Sequence, residues 1–126
     1  MGIHRERSER GAAAVEFALV MPLLFLLVFG IIEFGFIFNK ELSVTHSARE
    51  GVRVYALNGN AAAAVAAAQS ASGMNPPPTC TALPGGAGSP AAGTEVSMKC
   101  DTTYNLQLYV FHRVVNISST AKARKE

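Results

Sequence analysis

Two carboxylates set in an otherwise apolar run are the residues of this chain whose chemistry most needs explaining. Glu16 and Glu33 bracket the uncharged stretch FALVMPLLFLLVFGII, which AAAV extends on one side and FGFIF on the other. On a helix rising about 1.5 Å per residue they stand roughly 25 Å apart, less than a hydrocarbon core of about 30 Å, so both cannot sit comfortably in water. A carboxylate at that depth is costly, and a function with a nameable partner is its default reading. Glu33 can reach the outer headgroup region as a simple interfacial residue; Glu16 needs a partner. The other candidate chemistry is the pair Cys80 and Cys100, the chain's two cysteines. In a domain outside the cytoplasm such a pair reads as a disulfide, and closing its loop would stabilise the fold by about 3 kcal/mol on the chain-entropy model. Two free thiols are the plainer alternative, and zinc is disfavoured because the histidines are not spaced as ligands. His4, His46 and His112 are isolated in sequence. No nucleophile motif, phosphate loop or acid pair appears, so neither an enzyme nor a cofactor is expected.

The element that must carry the glutamates is a membrane span. Ala12 to Phe38 holds two acids and no base, and its 27 residues make a helix of roughly 40 Å, long enough to cross a bilayer with its interfaces. A buried core helix is the alternative, but a chain of 126 residues has little else with which to wrap it. Hydrophobic residues make up 49% of the chain and charged ones 16%, which is too apolar for disorder and too lightly charged for an ordinary cytosolic domain. The net charge is +2 and the eleven Lys and Arg are scattered, so no basic stripe argues for a nucleic-acid partner. Arg5, Arg7 and Arg10 before the span are matched by Lys40, Arg49 and Arg53 after it, and charge counting leaves the orientation open.

Beyond the span, residues 39–57 turn amphipathic. Leu42, Thr45, Ala48, Val52, Tyr55 and Ala56 recur at spacings of three and four, so the helix should continue to about Leu57. Asn58-Gly59-Asn60 is a turn signal, and either Asn can cap a short second helix over Ala61–Ala71, built on alanines of high helix propensity. Gly73 should close it. Residues 74–93, rich in Pro, Gly and Ser, read as a long irregular surface loop. From Thr94 the pattern becomes period two. It predicts a three-stranded meander with turns at Asp101-Thr102-Thr103 and His112-Arg113 and a core of Val96, Met98, Leu106, Leu108 and Val110. The fold class expected is α+β: a long transmembrane and amphipathic helix, a short second helix and a small C-terminal antiparallel sheet.

The head of the span carries a resemblance. Gly11, four residues, Glu16 and Phe17, following Arg10 and opening an apolar helix, resemble a class III signal, the cleavage site of type IV prepilins. The resemblance implies that residues 1–11 are a cytoplasmic leader, that a membrane prepilin peptidase cuts between Gly11 and Ala12, and that the new amine is usually methylated. That amine and Glu16 would lie four residues apart on one helix face, free to pair within a chain or between neighbouring chains. More broadly, RGAAAVEFALVMPLLFLLVFGIIEFG with SAREGVRVYAL some way beyond it resembles the TadE-like family of minor pilins or pseudopilins of the tight-adherence pilus. This resemblance implies a single-pass protein of the inner membrane, N-terminus cytoplasmic, with residues 58–126 as a small extracytoplasmic domain. Its partners would be other pilin subunits and the pilus assembly platform. Type II secretion pseudopilins usually place Phe just after the cut, where this chain has Ala12. Two readings of function remain side by side: a processed minor pilin, and an uncleaved single-span anchor or platform component that never enters a filament.

Overall fold

The computed structural model describes residues 3–85, 88–108 and 111–126, with side chains for all of these except 3–10, 107, 108 and 111. The elements run in the order α1 (Ile3–Asn58), α2 (Ala61–Ala71), β1 (Thr79–Leu83), β2 (Glu95–Leu108) and β3 (Phe111–Arg124). This is the α+β arrangement expected. The chain divides into two units at Gly35/Phe36. The first is helical, its described part being α1 from Ile3 to Gly35; α1 holds a stretch long and apolar enough to cross a membrane, with no part of that stretch buried.

In the second unit, local chemistry shapes the junction between the helices. The N–H of Gly59 donates to the carbonyl of Tyr55 at 2.9 Å, and Gly59 has φ of +67°, the left-handed residue that ends a helix at little steric cost. Asn58 Oδ1 accepts from the Asn60 N–H at 2.8 Å. Asn60 Oδ1 in turn accepts from the Ala63 N–H at 3.1 Å and caps α2, which spans Ala61–Ala71 as expected. Gly73, with φ of +61°, comes just after the C-cap Ser72.

The sheet has the order β1-β2-β3, antiparallel throughout. Three strands were expected and three are present, but they are not the same three: the two runs expected on either side of Asp101-Thr102-Thr103 are one strand, β2, and the third strand, β1, was not expected. Residues 79–83, placed by composition inside the irregular segment 74–93, form β1 and pair with Ser97–Asp101 of β2. Asp101, Thr102 and Thr103, expected to turn, lie within the unbroken 14-residue β2, opposite Ser118, Ile117 and Asn116 of β3. His112 and Arg113 likewise belong to β3 rather than to a turn. In both cases the ladder satisfies backbone groups along a neighbouring strand, and that gain outweighs local turn preference.

The core lies between the α1 segment from Val44 to Ala56, α2 and one face of the sheet. Val44, Ala48, Val52, Tyr55, Ala64, Ala68, Val96, Met98, Cys100 and Ile117 are its main members. Val96 and Met98 are fully buried as the alternation predicts, and Leu106 is half-buried. The side chain of Leu108 and the whole of Val110, also expected in the core, lie outside the described residues. Leu42 is a correction: it is 55% exposed, and Val44, fully buried, takes its place on the stripe. Ser47, also buried, donates to the carbonyl of Ser43 at 2.9 Å, so its hydroxyl is satisfied within the helix.

Candidate processing and assembly segment

Gly11, Ala12, Glu16 and Phe17 all lie on α1 and all are exposed. The Gly11–Ala12 bond is therefore in helical backbone, and a side chain at Gly11 would meet nothing within 4 Å. Ala12 and Glu16 share a face by their spacing of four. Phe17 is 62% exposed, and from Val15 through Phe38 the large apolar side chains stand free of the chain's own packing, save partial burial at Ile37. Phe25 and Phe29 stack in a tilted arrangement at 6.1 Å between centroids, a contact along one helix face. Apolar surface of this extent, left uncovered, calls for lipid or other helices around it. Glu33, by contrast with Glu16, is half-buried.

Further along α1, the segment Ala48-Arg49-Glu50-Gly51-Val52-Arg53 divides between two tasks. Ala48, Gly51 and Val52 face the core. Gly51 sits where a Cβ would stand 2.8 Å from Ala68 Cβ of α2 and 3.0 Å from Met98 Cε and Cγ of β2. It is the point at which the two helices and the sheet come together, and only a residue without a side chain fits there unstrained. Glu50 and Arg53 point outward and form a two-pronged ion pair, Nη2 to Oε1 at 2.7 Å and Nε to Oε2 at 3.0 Å. The hydrogen bonds from Arg53, aided by its charge, hold the Glu50 carboxyl below the ordinary range, and the same pair raises Arg53.

The second unit is tied together at three places. Cys80 and Cys100, directly opposite in the β1–β2 register, form a disulfide. The buried Tyr55 donates its hydroxyl to the Pro84 carbonyl at 2.6 Å, fastening the end of β1 to α1. The C-terminal residues return to the top of α1, where the Glu126 N–H donates to Ala56 O at 3.2 Å and Lys125 Nζ to Leu57 O at 3.2 Å. None of these last ties was legible in the sequence, because each joins a side chain or terminus to a backbone carbonyl far along the chain. His46 and His112 are both exposed, and among the described residues no three His, Cys, Asp or Glu side chains gather as a metal site would require.

The sequence before Gly11 is polar, and the apolar stretch of α1 begins just after it. Residues 11–53 match the family model of TadE-like proteins. No curated protein and no solved structure matches the chain. The TadE-like segment starts at the residue expected to precede the cut, contains Glu16, Phe17 and Glu33, and ends at Arg53 of the ion pair. It points to a protein associated with the tight-adherence pilus and, with the apolar helix, to a single-pass membrane protein. The α2 helix and the sheet lie outside it.

Proposed function

We propose that this chain is a minor pilin, or pseudopilin, of a tight-adherence type IV-like pilus, and that its role is structural rather than catalytic. It enters the inner membrane with its N-terminus in the cytoplasm, and a prepilin peptidase cuts between Gly11 and Ala12. The mature chain joins other pilin subunits at the assembly platform to initiate or support a filament used in surface adhesion. The observation that supports this reading is that the TadE-like match begins at Gly11 and takes in a stretch of α1 long and apolar enough to cross a membrane, whose most apolar window is unburied among the described residues.

Glu16 is the assembly residue of this reading. The amine released at Ala12 is positive and Glu16 negative, and in lipid an unpaired carboxylate is costly. Pairing Glu16 with the amine of a neighbouring subunit therefore favours one axial register between helices. Phe17 beside it contributes apolar surface to the same helix-to-helix contact.

The test is the intact mass of the protein purified from its native membrane, with and without an active prepilin peptidase. A chain beginning at Ala12 only when the peptidase is present supports the pilin route. A full-length chain in both cases removes the amine that Glu16 is to pair with, and the uncleaved anchor takes its place.

A further inference from the structure

The sheet has two edges, β1 on one side and β3 on the other, and they are built differently. A sheet edge presents unpaired backbone groups to any extended chain, and proteins blunt it by shortness, proline or cover. β1 has all three. It is 5 residues long, Pro78 precedes it and Pro84 follows it, and α2 lies against it. β3 runs for 14 residues without a proline. Its register with β2 is continuous, with no bulge to turn the edge away, and residues 114–121 carry no charge that would repel a neighbouring strand.

The ladder decides which backbone groups β3 offers. In an antiparallel pair, the N–H and C=O of one residue point to the partner strand and those of the next point away from it. Lys125, just past β3, turns both groups toward the chain that leads into β2: its N–H donates to Thr94 O at 2.9 Å, and its carbonyl accepts from the Gly93 N–H at 2.8 Å. By alternation the odd-numbered residues of β3 face β2 and the even-numbered ones face outward. The β1–β2 pairing agrees. The Cα atoms of Cys80 and Cys100 are 4.1 Å apart, the narrow spacing of a non-hydrogen-bonded pair, so Cys100 turns its backbone groups to Ser119 opposite. At the end of the chain the outward N–H of Glu126 is taken by Ala56 O. The outward backbone groups of Val114, Asn116, Ser118, Thr120 and Lys122 have no hydrogen-bond partner among the described residues, and all five residues are exposed.

Charge selects the occupant. β3 holds Arg113, Lys122 and Arg124 and no acid. Glu95 of β2 engages Lys122 at 2.9 Å, whereas Arg113 and Arg124, both exposed, form no ion pair among the described residues. Two β3 edges meeting would gather the cations of both strands with no acid on either, so like charge disfavours a second copy.

We propose that the β3 edge receives an extended segment of a partner protein, added to the sheet as a fourth strand, with acidic residues at the ends of the segment facing Arg113 and Arg124. Backbone hydrogen bonds along residues 114–122 supply the affinity, and the two arginines supply the selection. The edge is the same in the cleaved and the uncleaved chain, so the proposal goes beyond the pilin reading and does not depend on it.

The experiment uses the full chain in mild detergent and a synthetic peptide of alternating Thr and Val, long enough to pair with residues 113–124, with Glu at both ends. Amide hydrogen exchange is followed residue by residue by NMR. Without peptide, the N–H groups of Val115, Ile117 and Ser119 should be protected and those of Val114, Asn116, Ser118, Thr120 and Lys122 should exchange freely. With the peptide about tenfold above its half-saturation concentration, the free group should slow about tenfold. A Lys-ended peptide at the same concentration should not slow it, and Arg113→Gln with Arg124→Gln should remove the discrimination between the two peptides. Ser118→Pro deletes an outward donor that β2 does not use and should weaken the Glu-ended peptide about tenfold. Outward N–H groups that stay fast at every concentration of the Glu-ended peptide overturn the proposal, as does equal slowing by the Lys-ended one. Outward groups already protected without peptide, increasingly so as the protein is concentrated, overturn it in favour of a second copy.

Discussion

Gly51 offers the sharpest quantitative test of the junction between the helices and the sheet. In an uncrowded helix, Gly→Ala stabilises by about 1 kcal/mol through propensity alone. At Gly51 the new Cβ would stand 2.8 Å from Ala68 Cβ and 3.0 Å from two atoms of Met98, where ordinary carbon contacts begin near about 3.5 Å. Met98 is unbranched and can yield by a rotamer change, but Ala68 Cβ is fixed to the α2 backbone, so α2 itself must move. Overpacking of that kind costs about 1–3 kcal/mol. The sum is a net loss of about 1 kcal/mol for Gly51→Ala. Gly51→Val, with two more methyl groups and a β-branch, should lose roughly 3 kcal/mol. Ala68→Gly removes the atom closest to the new Cβ, so in the double variant Gly51→Ala/Ala68→Gly the two losses should fall short of additivity by about 1 kcal/mol. Urea unfolding of the full chain in mild detergent, monitored through the near-ultraviolet tyrosine signal, gives the midpoints needed. A Gly51→Ala variant more stable than the parent by the full propensity gain, or strictly additive losses, would refute the close approach.

Single contacts elsewhere give further expectations. Replacing both Cys80 and Cys100 by Ala should lower stability by about 3 kcal/mol on the chain-entropy model in the same unfolding assay, and amide hydrogen exchange should show protection of β1 falling before that of β2. Tyr55→Phe removes a hydrogen bond to Pro84 O; because Pro84 is exposed, water can take over its carbonyl, and the loss should be only about 1 kcal/mol. Glu16→Gln should leave membrane insertion, measured by alkaline extraction, unchanged while reducing the amount of chain recovered in sheared filaments; equal recovery would remove Glu16 from assembly. Since the carboxyl of Glu50 is held below its ordinary range by Arg53, the pair's small contribution is present above that range and lost as pH falls through it. The parent's pH dependence in the acid range should therefore exceed that of Glu50→Gln, and added salt should narrow the gap because the pair is exposed.

Much of the helical part was legible because the forces that shape it are local. The apolar stretch declares itself by length and lack of charge, and the turn Asn58-Gly59-Asn60 with its two caps arises from the φ of glycine and the reach of an asparagine side chain. The proposed processing and assembly residues Gly11, Ala12, Glu16 and Phe17 are local in the same sense, being near neighbours on one helix. The buried stripe of α1 was read only in part. Leu42 and Val44 both fit a period of three to four, and the placement of the sheet and α2 decides that Val44 is covered and Leu42 is not.

The sequence by itself determined that the chain has an apolar helix of membrane-crossing length, that this helix continues into an amphipathic one, and that a short alanine helix comes after a capped turn. Only the tertiary structure decided the rest. A Pro- and Gly-rich segment yields a strand at Thr79–Leu83 because β2 presents a complementary edge and Cys100 stands opposite Cys80. The polar run Asp101-Thr102-Thr103 stays extended because β3 pairs with it throughout. Gly51 is required by a neighbour seventeen positions away, Ala68. The physical reason is common to all three: a residue's own preference is worth at most about 1 kcal/mol, and a paired edge or a filled junction assembled from distant parts of the chain exceeds it.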